Sequence, residues 1–366
     1  MKNGKLLIGI IGCGGIAKQK HLPSLSKLSD LCELVAFCDI VEERAVNAAS
    51  QFGTPDAKVY TDYKQLLNDD NIDVVHVLTP NVSHSPITVD ALTAGKHVMC
   101  EKPMAHTSAD AQKMMDAAKK SGKKFTIAYQ NRFRNEVQAL NKACRAGVLG
   151  DIYFAKAHAI RRKAVPTWGV FPDKSKQGGG PLIDIGTHAL DITLWMMNNY
   201  KPKSVTGSVF YKMADKYEGN LFGPWDPKTF EVEDSAFGFI KMENGATIYL
   251  EASWALNVLD SREAATTLCG TDTGAEIRSG MSYAKSELIF NSAKFGNLMQ
   301  ESLSPGGNIA YFEGGTNEPG YLEARQWLEA ILNDTEPLVK PEQAFTVTQI
   351  LEAVYLSHES GKMIMF

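Results

Sequence analysis

Three stretches of this chain carry side chains at spacings that can do chemistry. Gly12-Cys13-Gly14-Gly15-Ile16-Ala17 reads G-x-G-x-x-A directly after the apolar run Leu6–Ile11 and ahead of a helical segment. In that setting Gly12 allows a tight turn, Gly14 lets the backbone approach a pyrophosphate, and Ala17 permits close helix–strand packing. Gly15 and Ile16 continue the turn into a helix N-terminus, whose amides and partial positive charge suit phosphate oxygens. A lone G-x-G-x-x-A is as often an ordinary glycine turn. Here the second strand ends in Cys38-Asp39-Ile40, at the spacing of the acid that hydrogen-bonds an adenosine ribose. Asp39 would repel a 2′-phosphate, which favours NAD over NADP. Arg44 could approach such a phosphate, though its plain role is a solvated arginine on the next helix.

The second stretch is a pair of strand ends. Ligands of open α/β sheets bind beyond the carboxyl ends of the strands. The run Val74–Leu78 ends in Thr79-Pro80-Asn81 with His84 close behind, and His97–Cys100 ends in Glu101-Lys102-Pro103. A histidine or lysine in a turn is usually just solvated. The Lys102-Pro103 bond is a candidate for the cis form, because only an X-Pro bond makes that isomer cheap.

The third stretch is Gly178-Gly179-Gly180-Pro181-Leu182-Ile183-Asp184-Ile185-Gly186-Thr187-His188-Ala189-Leu190-Asp191. Proline suits a first helical position, and a helix starting there places Asp184, His188 and Asp191 on one stripe. Two carboxylates and an imidazole on a stripe can move protons; the plain alternative is a satisfied helical hydrogen-bond pair. No cysteine or third ligand lies near enough to support catalytic zinc, so no metal is expected.

The elements that would position these residues are legible from patterning. The first third alternates β-branched runs with helical segments, the mark of a parallel sheet covered by helices. Expected strands are Leu6–Ile11, Leu34–Cys38, Lys58–Thr61, Val74–Leu78, His97–Cys100 and Phe125–Tyr129; expected helices include Glu42–Phe52 and Ala109–Lys120, with Gly53, Gly95 and Gly122 at C-caps. Pro23 falls inside the first helix and predicts a kink or restart. After Gly150 longer alternating strands appear, Ile152–Ala159, Ala236–Met242 and Thr247–Trp254, the last with Ile248, Leu250, Ala252 and Trp254 on one face. The helix Pro181–Met197 interrupts them, and amphipathic helices Tyr321–Leu332 and Val347–Lys362 close the chain. Ser304–Gly320 is glycine-rich and is expected to form a mobile surface loop. The fold class expected is α/β: an N-terminal Rossmann domain over 1–130 that binds NAD, and a C-terminal α+β domain over 131–366, built on an open, mostly antiparallel sheet, for substrate and oligomerisation.

Bulk properties agree with two ordinary domains. The chain has 366 residues, 44% hydrophobic and 22% charged, against about 150 residues per domain. A net charge of −4 with both signs mixed gives no phosphate-binding surface, so nucleic acid is not an expected partner. The six cysteines are scattered without a CxxC pair, which fits reduced thiols and a cytoplasmic location. The first twelve residues read as a strand rather than an export leader, and no apolar run approaches the roughly 18 residues of a membrane helix.

The G-x-G-x-x-A turn, the T-P-N-x-x-H segment and the E-K-P triplet, in this order and across nearly the whole chain, resemble the glucose-fructose oxidoreductase and inositol dehydrogenase family, Gfo/Idh/MocA. The resemblance implies that Lys102 is the active-site lysine, with Thr79, Asn81, His84 and Glu101 around the nicotinamide and its ribose. It sets Gln130 and Asn131 near cofactor or substrate, and Asp184 and His188 beside the substrate. Arg161-Arg162-Lys163 and Trp168 could offer donors and a flat ring to a sugar; a basic strand face and a packed tryptophan are the plain reading.

What the resemblance implies is an NAD-dependent oxidoreductase acting on a secondary alcohol of a sugar, cyclitol or glycoside. Hydride leaves carbon while a nearby base takes the hydroxyl proton. The imidazole of His188, with an ordinary pKa of about 6.5, suits that role, while Asp184 would orient it or share the substrate hydroxyl and Lys102 would donate to the oxygen. How the base role divides among the three stays open. The Arg-Arg-Lys stretch, the Trp168-Gly169 pair and the Gly-Gly-Gly-Pro run are similar to bacterial enzymes that oxidise a glucoside's C3 hydroxyl. Two alternatives are an NAD-dependent glycosidase using transient oxidation and elimination, and a non-catalytic NAD or sugar sensor. A sheet with one uncovered face also implies a homo-oligomer.

Overall fold

A computed structural model of the chain describes residues 4–283, 285–303 and 318–366. They divide into two compact units, one holding residues up to Phe133 together with 318–345, the other holding 134–303 and 346–366.

The first unit is built on six parallel strands, β1 (Leu6–Ile11), β2 (Cys32–Cys38), β3 (Lys58–Tyr60), β4 (Val74–Val77), β5 (His97–Glu101) and β6 (Phe125–Ala128). Their order is β3-β2-β1-β4-β5-β6, the doubly wound arrangement whose direction reverses between β1 and β4. Every residue of β1, β4 and β6 is buried, which is why β1 reads as a continuous apolar run and β4 and β6 are broken only by the buried His76 and Thr126.

Helices α1 (Leu22–Ser26), α2 (Glu42–Phe52), α3 (Tyr63–Leu67), α4 (His84–Thr93) and α5 (Ser108–Ser121) fill the crossovers. Pro23 occupies the first turn of α1, which restarts the helix after a wide π turn at Ala17–His21. The Thr107 hydroxyl accepts the Asp110 amide to cap α5, and Gly122 ends it at φ +66°. Gly53 also follows a helix, but in an extended conformation, φ −80°.

The second unit contains α6 (Asn135–Arg145), α7 (Lys174–Gln177), α8 (Thr187–Met197) and strands β7 (Phe154–Ile160), β8 (Pro202–Phe210), β9 (Ser235–Met242), β10 (Thr247–Ser253), β11 (Ala265–Cys269), β12 (Gly274–Arg278), β13 (Glu287–Lys294), β14 (Asn297–Ser302) and β15 (Ile364–Met365). The nine strands run β14-β13-β12-β11-β7-β10-β9-β8-β15, antiparallel except for the β7–β10 pair. Ile248, Leu250, Ala252 and Trp254 are fully buried, as their alternation predicts. Helices α6 and α8 pack on the sheet.

Helices α9 (Pro319–Leu332) and α10 (Pro341–Ser360) follow. The sequence places residues 131–366 in the later domain, yet 318–345 belong to the first unit. Tyr321, Ala324, Trp327 and Leu328 of α9 are buried in the core formed by β1, β2 and α1. At about 1.5–3 kcal/mol per large buried apolar side chain, that face decides where α9 docks. The loop expected at Ser304–Gly320 lies outside the described residues as far as 317, and Pro319 and Gly320 already open α9.

Candidate active site

In the first unit the glycine turn follows β1. Gly12 sits at φ +95°, and a Cβ there would lie 2.5 Å from the Leu78 carbonyl oxygen at the end of β4. Only glycine closes this turn. In front of Gly14 and Gly15 a Cβ would meet nothing within 4 Å, so the backbone there is open to a ligand. Asp39 is buried, and its two oxygens accept the Cys13 and Val41 amides, each at 2.9 Å. The acid therefore ties the end of β2 to the glycine turn, and each oxygen keeps a lone pair for a further donor. Beside it Ile40 is 90% exposed, and the Arg44 guanidinium lies 3.9 Å from Asp39 Oδ1.

At the ends of β4 and β5, the buried Thr79 Oγ1 has no hydrogen-bond partner among the described residues, while Asn81 opens a half-exposed turn. His84 takes a different part from the one expected. Its ring nitrogens face the Pro103 carbonyl at 2.8 Å and the Thr79 carbonyl at 2.9 Å, so they brace the two turns together instead of facing a ligand. Burial lowers its pKa, and the neutral ring donates to one carbonyl at a time. The Lys102-Pro103 bond is cis.

Glu101 is also turned inward. Its Oε1 accepts from Lys20 Nζ and His21 Nε2, both at 2.8 Å, and its Oε2 accepts the Lys102 amide at 3.0 Å. Lys20 in turn pairs with Glu323 of α9 at 2.9 Å. Burial alone would raise the Glu101 pKa, but Lys20 and His21 outweigh it and hold the carboxyl well below the usual carboxylate range. His21 is buried, and burial together with Lys20 pushes its pKa down to about 4. The tautomers follow: neutral His21 donates from Nε2 to Glu101, so its Nδ1 accepts from His76 Nδ1 at 3.2 Å. His76 Nε2 is then a bare acceptor, buried without a partner among the described residues. Gln130 and Asn131 lie half-buried in the short turn after β6, whose Arg132 is fully buried and donates to Gln343 at 2.6 Å.

In the second unit a π turn, Leu182–Gly186, leads into α8. From Gly179 to Met196 every residue is buried except Asp184 and His188. Asp191, expected on the same stripe, is 0% exposed and sealed within α8, whereas Asp184 sits in the wide turn itself, a kind of insertion frequent at functional sites. Trp254 Nε1 donates to Asp184 Oδ2 at 3.0 Å. Arg161 is committed to a bidentate pair with Glu263, at 2.7 and 2.6 Å, while Arg162 is exposed. Trp168 is 53% exposed and stacks edge-on against Phe171 and Phe222, and Phe171 does the same against Trp254.

Residues 6–129 match the oxidoreductase family with an NAD-binding Rossmann fold, and residues 141–366 match that family's C-terminal α/β domain. The chain belongs to the Gfo/Idh/MocA oxidoreductase family. D-glucoside 3-dehydrogenase of Escherichia coli is 36% identical over 368 residues, covering 100% of this chain and 98% of that protein. Inositol 2-dehydrogenase of Salmonella paratyphi B is 33% identical over 202 residues, 55% of this chain and 57% of its own. A levoglucosan dehydrogenase solved with NADH and levoglucosan shares the fold at a TM-score of 0.83 and 22% identity, covering 99% of both chains.

As a Gfo/Idh/MocA member the chain binds NAD, and its residues fit that group: open backbone at Gly14 and Gly15, the buried acid Asp39 with lone pairs to spare, and the apolar Ile40 beside it. Among the described residues no cluster of three or more His, Cys, Asp or Glu could hold a metal ion, and no helix is long and apolar enough to cross a membrane. Sequence reasoning missed Lys20, His21, His76, Glu323 and Trp254. Lys20 and His21 come one turn after the glycine turn, but nothing in their spacing signals burial; Trp254 was legible only as a core residue.

Proposed function

We propose that this chain oxidises a secondary hydroxyl of a sugar, cyclitol or glycoside to a ketone, with Lys102, Asp184 and His188 as its catalytic groups. The observation that carries the proposal is that an otherwise buried helical stretch leaves one carboxylate and one imidazole open, a turn apart. A core helix would have no use for two polar openings at that spacing. The full-length likeness to a glucoside 3-dehydrogenase supports the substrate class and favours C3 of a glucoside.

NAD, when bound, supplies the hydride acceptor. The residues of the chain handle the rest of the alcohol: the C–H electron pair leaves as hydride, and the hydroxyl proton must go to a base. His188 accepts it, Asp184 orients the hydroxyl while Trp254 fixes its carboxylate, and the Lys102 ammonium donates to the oxygen as negative charge develops. Asp39 selects NAD through the ribose hydroxyls, aided by Gly12, Gly14, Gly15, Ile16, Ile40, Arg44, Thr79, Asn81 and Gln130. The open guanidinium of Arg162, Asn131 and the exposed ring of Trp168 contact the sugar.

The half-covered nine-stranded sheet, with Phe239 46% and Phe210 40% exposed on one face, supports a homo-oligomer, and six free thiols support a cytoplasmic location. The test of the activity is to incubate the protein with NAD and a panel of glucosides, free sugars and cyclitols, reading reduced nicotinamide by absorbance and products by mass. A ketone two mass units lighter than its substrate supports the proposal. Net hydrolysis without a keto product, or a cofactor that never changes redox state, overturns it. Lys102→Ala should lower turnover by about two orders of magnitude with NAD still bound.

A further inference from the structure

The Gly178-Gly179-Gly180-Pro181 run leads into the turn and helix that carry Asp184 and His188. Glu233, 1% exposed, lies at the start of the helix that carries Asp184 and His188. Its Oε2 accepts the Gly180 amide at 2.8 Å, and its Oε1 accepts the Leu182 amide at 3.2 Å and the Tyr355 hydroxyl at 2.7 Å. Pro181, between those two amides, has no N–H to offer. One carboxylate from a strand entry about fifty residues away thus takes the donors that a local cap would take, at the end of the helix where negative charge is favoured.

The glycines make room for this clamp. A Cβ on Gly179 would fall on the Tyr355 hydroxyl, and one on Gly180 would fall on the Glu233 carbonyl oxygen. The next residue closes a second route to the same place. The Asp234 carbonyl accepts the Trp254 amide at 3.1 Å, and the Trp254 indole donates to Asp184. Asp184 is therefore held through its own helix start by Glu233 and through Trp254 by Asp234.

We propose that Glu233 and Tyr355 are positioning residues for Asp184 and His188: their clamp on the Gly179–Leu182 segment sets where these two side chains stand. The proposal rests on the reading of Asp184 and His188 as catalytic. Since misplacement by about an ångström can cost on the order of a hundredfold in rate, loosening the clamp acts on turnover while leaving the dinucleotide half untouched.

The test compares Glu233→Gln, Tyr355→Phe and Gly179→Ala with the parent enzyme. Each should lower kcat at least tenfold with NAD affinity within twofold of the parent. In ¹H–¹⁵N spectra each should also shift the Trp254 indole N–H resonance, assigned with Trp254→Phe. If Glu233→Gln does not fold, Tyr355→Phe, which removes one hydrogen bond, carries the test alone. A lower melting temperature with kcat and the Trp254 resonance unmoved would make the clamp merely structural and overturn the proposal. Full turnover in Asp184→Asn and His188→Gln would instead defeat the catalytic reading, whereas the Trp254 resonance reports on the clamp in either case.

Discussion

The amide of Lys102 donates to the side chain of the residue before it, Glu101 Oε2, at 3.0 Å, and the other oxygen of that carboxylate receives Lys20 and His21. The E-K-P triplet thus divides its work: the glutamate faces inward and fastens the backbone from which the lysine projects. Lys20, itself 9% exposed, joins Glu101 to Glu323 on α9.

Removing Lys20 leaves two buried carboxylates without their shared cation. Lys20→Met should destabilise the first unit by about 3–5 kcal/mol, the usual consequence of breaking a buried pair from one side. Urea unfolding measures it. A loss under about 1 kcal/mol would mean the charges reach water.

The same cluster fixes the direction of the acid response. His21 is neutral when folded, with a pKa of about 4 against 6.5 when free, so between these values the unfolded chain binds a proton that the folded chain refuses. Stability from this group is complete above about pH 6.5 and is lost as pH falls toward 4, amounting to about 3 kcal/mol at most. Glu101, held low, adds a loss of the same sign at still lower pH. His21→Gln, which keeps a donor for Glu101, should flatten the dependence of unfolding free energy on pH by about one proton over this window. Parallel curves for the two proteins would refute the assignment.

The glycine turn separates folding from binding. Gly12→Ala places a methyl 2.5 Å from a carbonyl oxygen at φ +95° and should cost more than about 1 kcal/mol of stability. Gly14→Ala meets only open space, so its melting temperature should match the parent while NADH affinity, read by fluorescence titration, falls at least tenfold. Equal NADH affinity in Gly14→Ala would remove the pyrophosphate from that position.

How far the sequence could be read depended on the range of the forces involved. β1 and α2 appear at the residues expected because local patterning dictates them: an unbroken apolar run for a strand covered on both faces, and Ala45 and Ala48 three apart on a helix. Strands β8 and β11 to β14 were not anticipated; β13 and β14 are largely exposed and lack a strong alternation. The return of α9 to the first unit was hidden for another reason. Its apolar face was visible, but amphipathicity does not say which core it serves. Nor does spacing disclose that His84 braces two turns, that Glu101 points inward, or that Asp191 is sealed while Asp184 is open, since partners far along the chain decide each of these.

Trp168 offers the last separation, between affinity and fold. Its ring is about half exposed, and its edge contacts with Phe171 and Phe222 set its plane without sealing it. A ring held this way presents apolar surface to a sugar at little entropic cost. Trp168→Ala removes that surface but takes little from the core. It should raise KM for a glucoside by about five- to tenfold, the equivalent of roughly 1–1.4 kcal/mol, with kcat within twofold and the melting temperature nearly unchanged. The Michaelis constant carries the argument, because a ring that served only to pack its loop would lower stability and leave KM where it was.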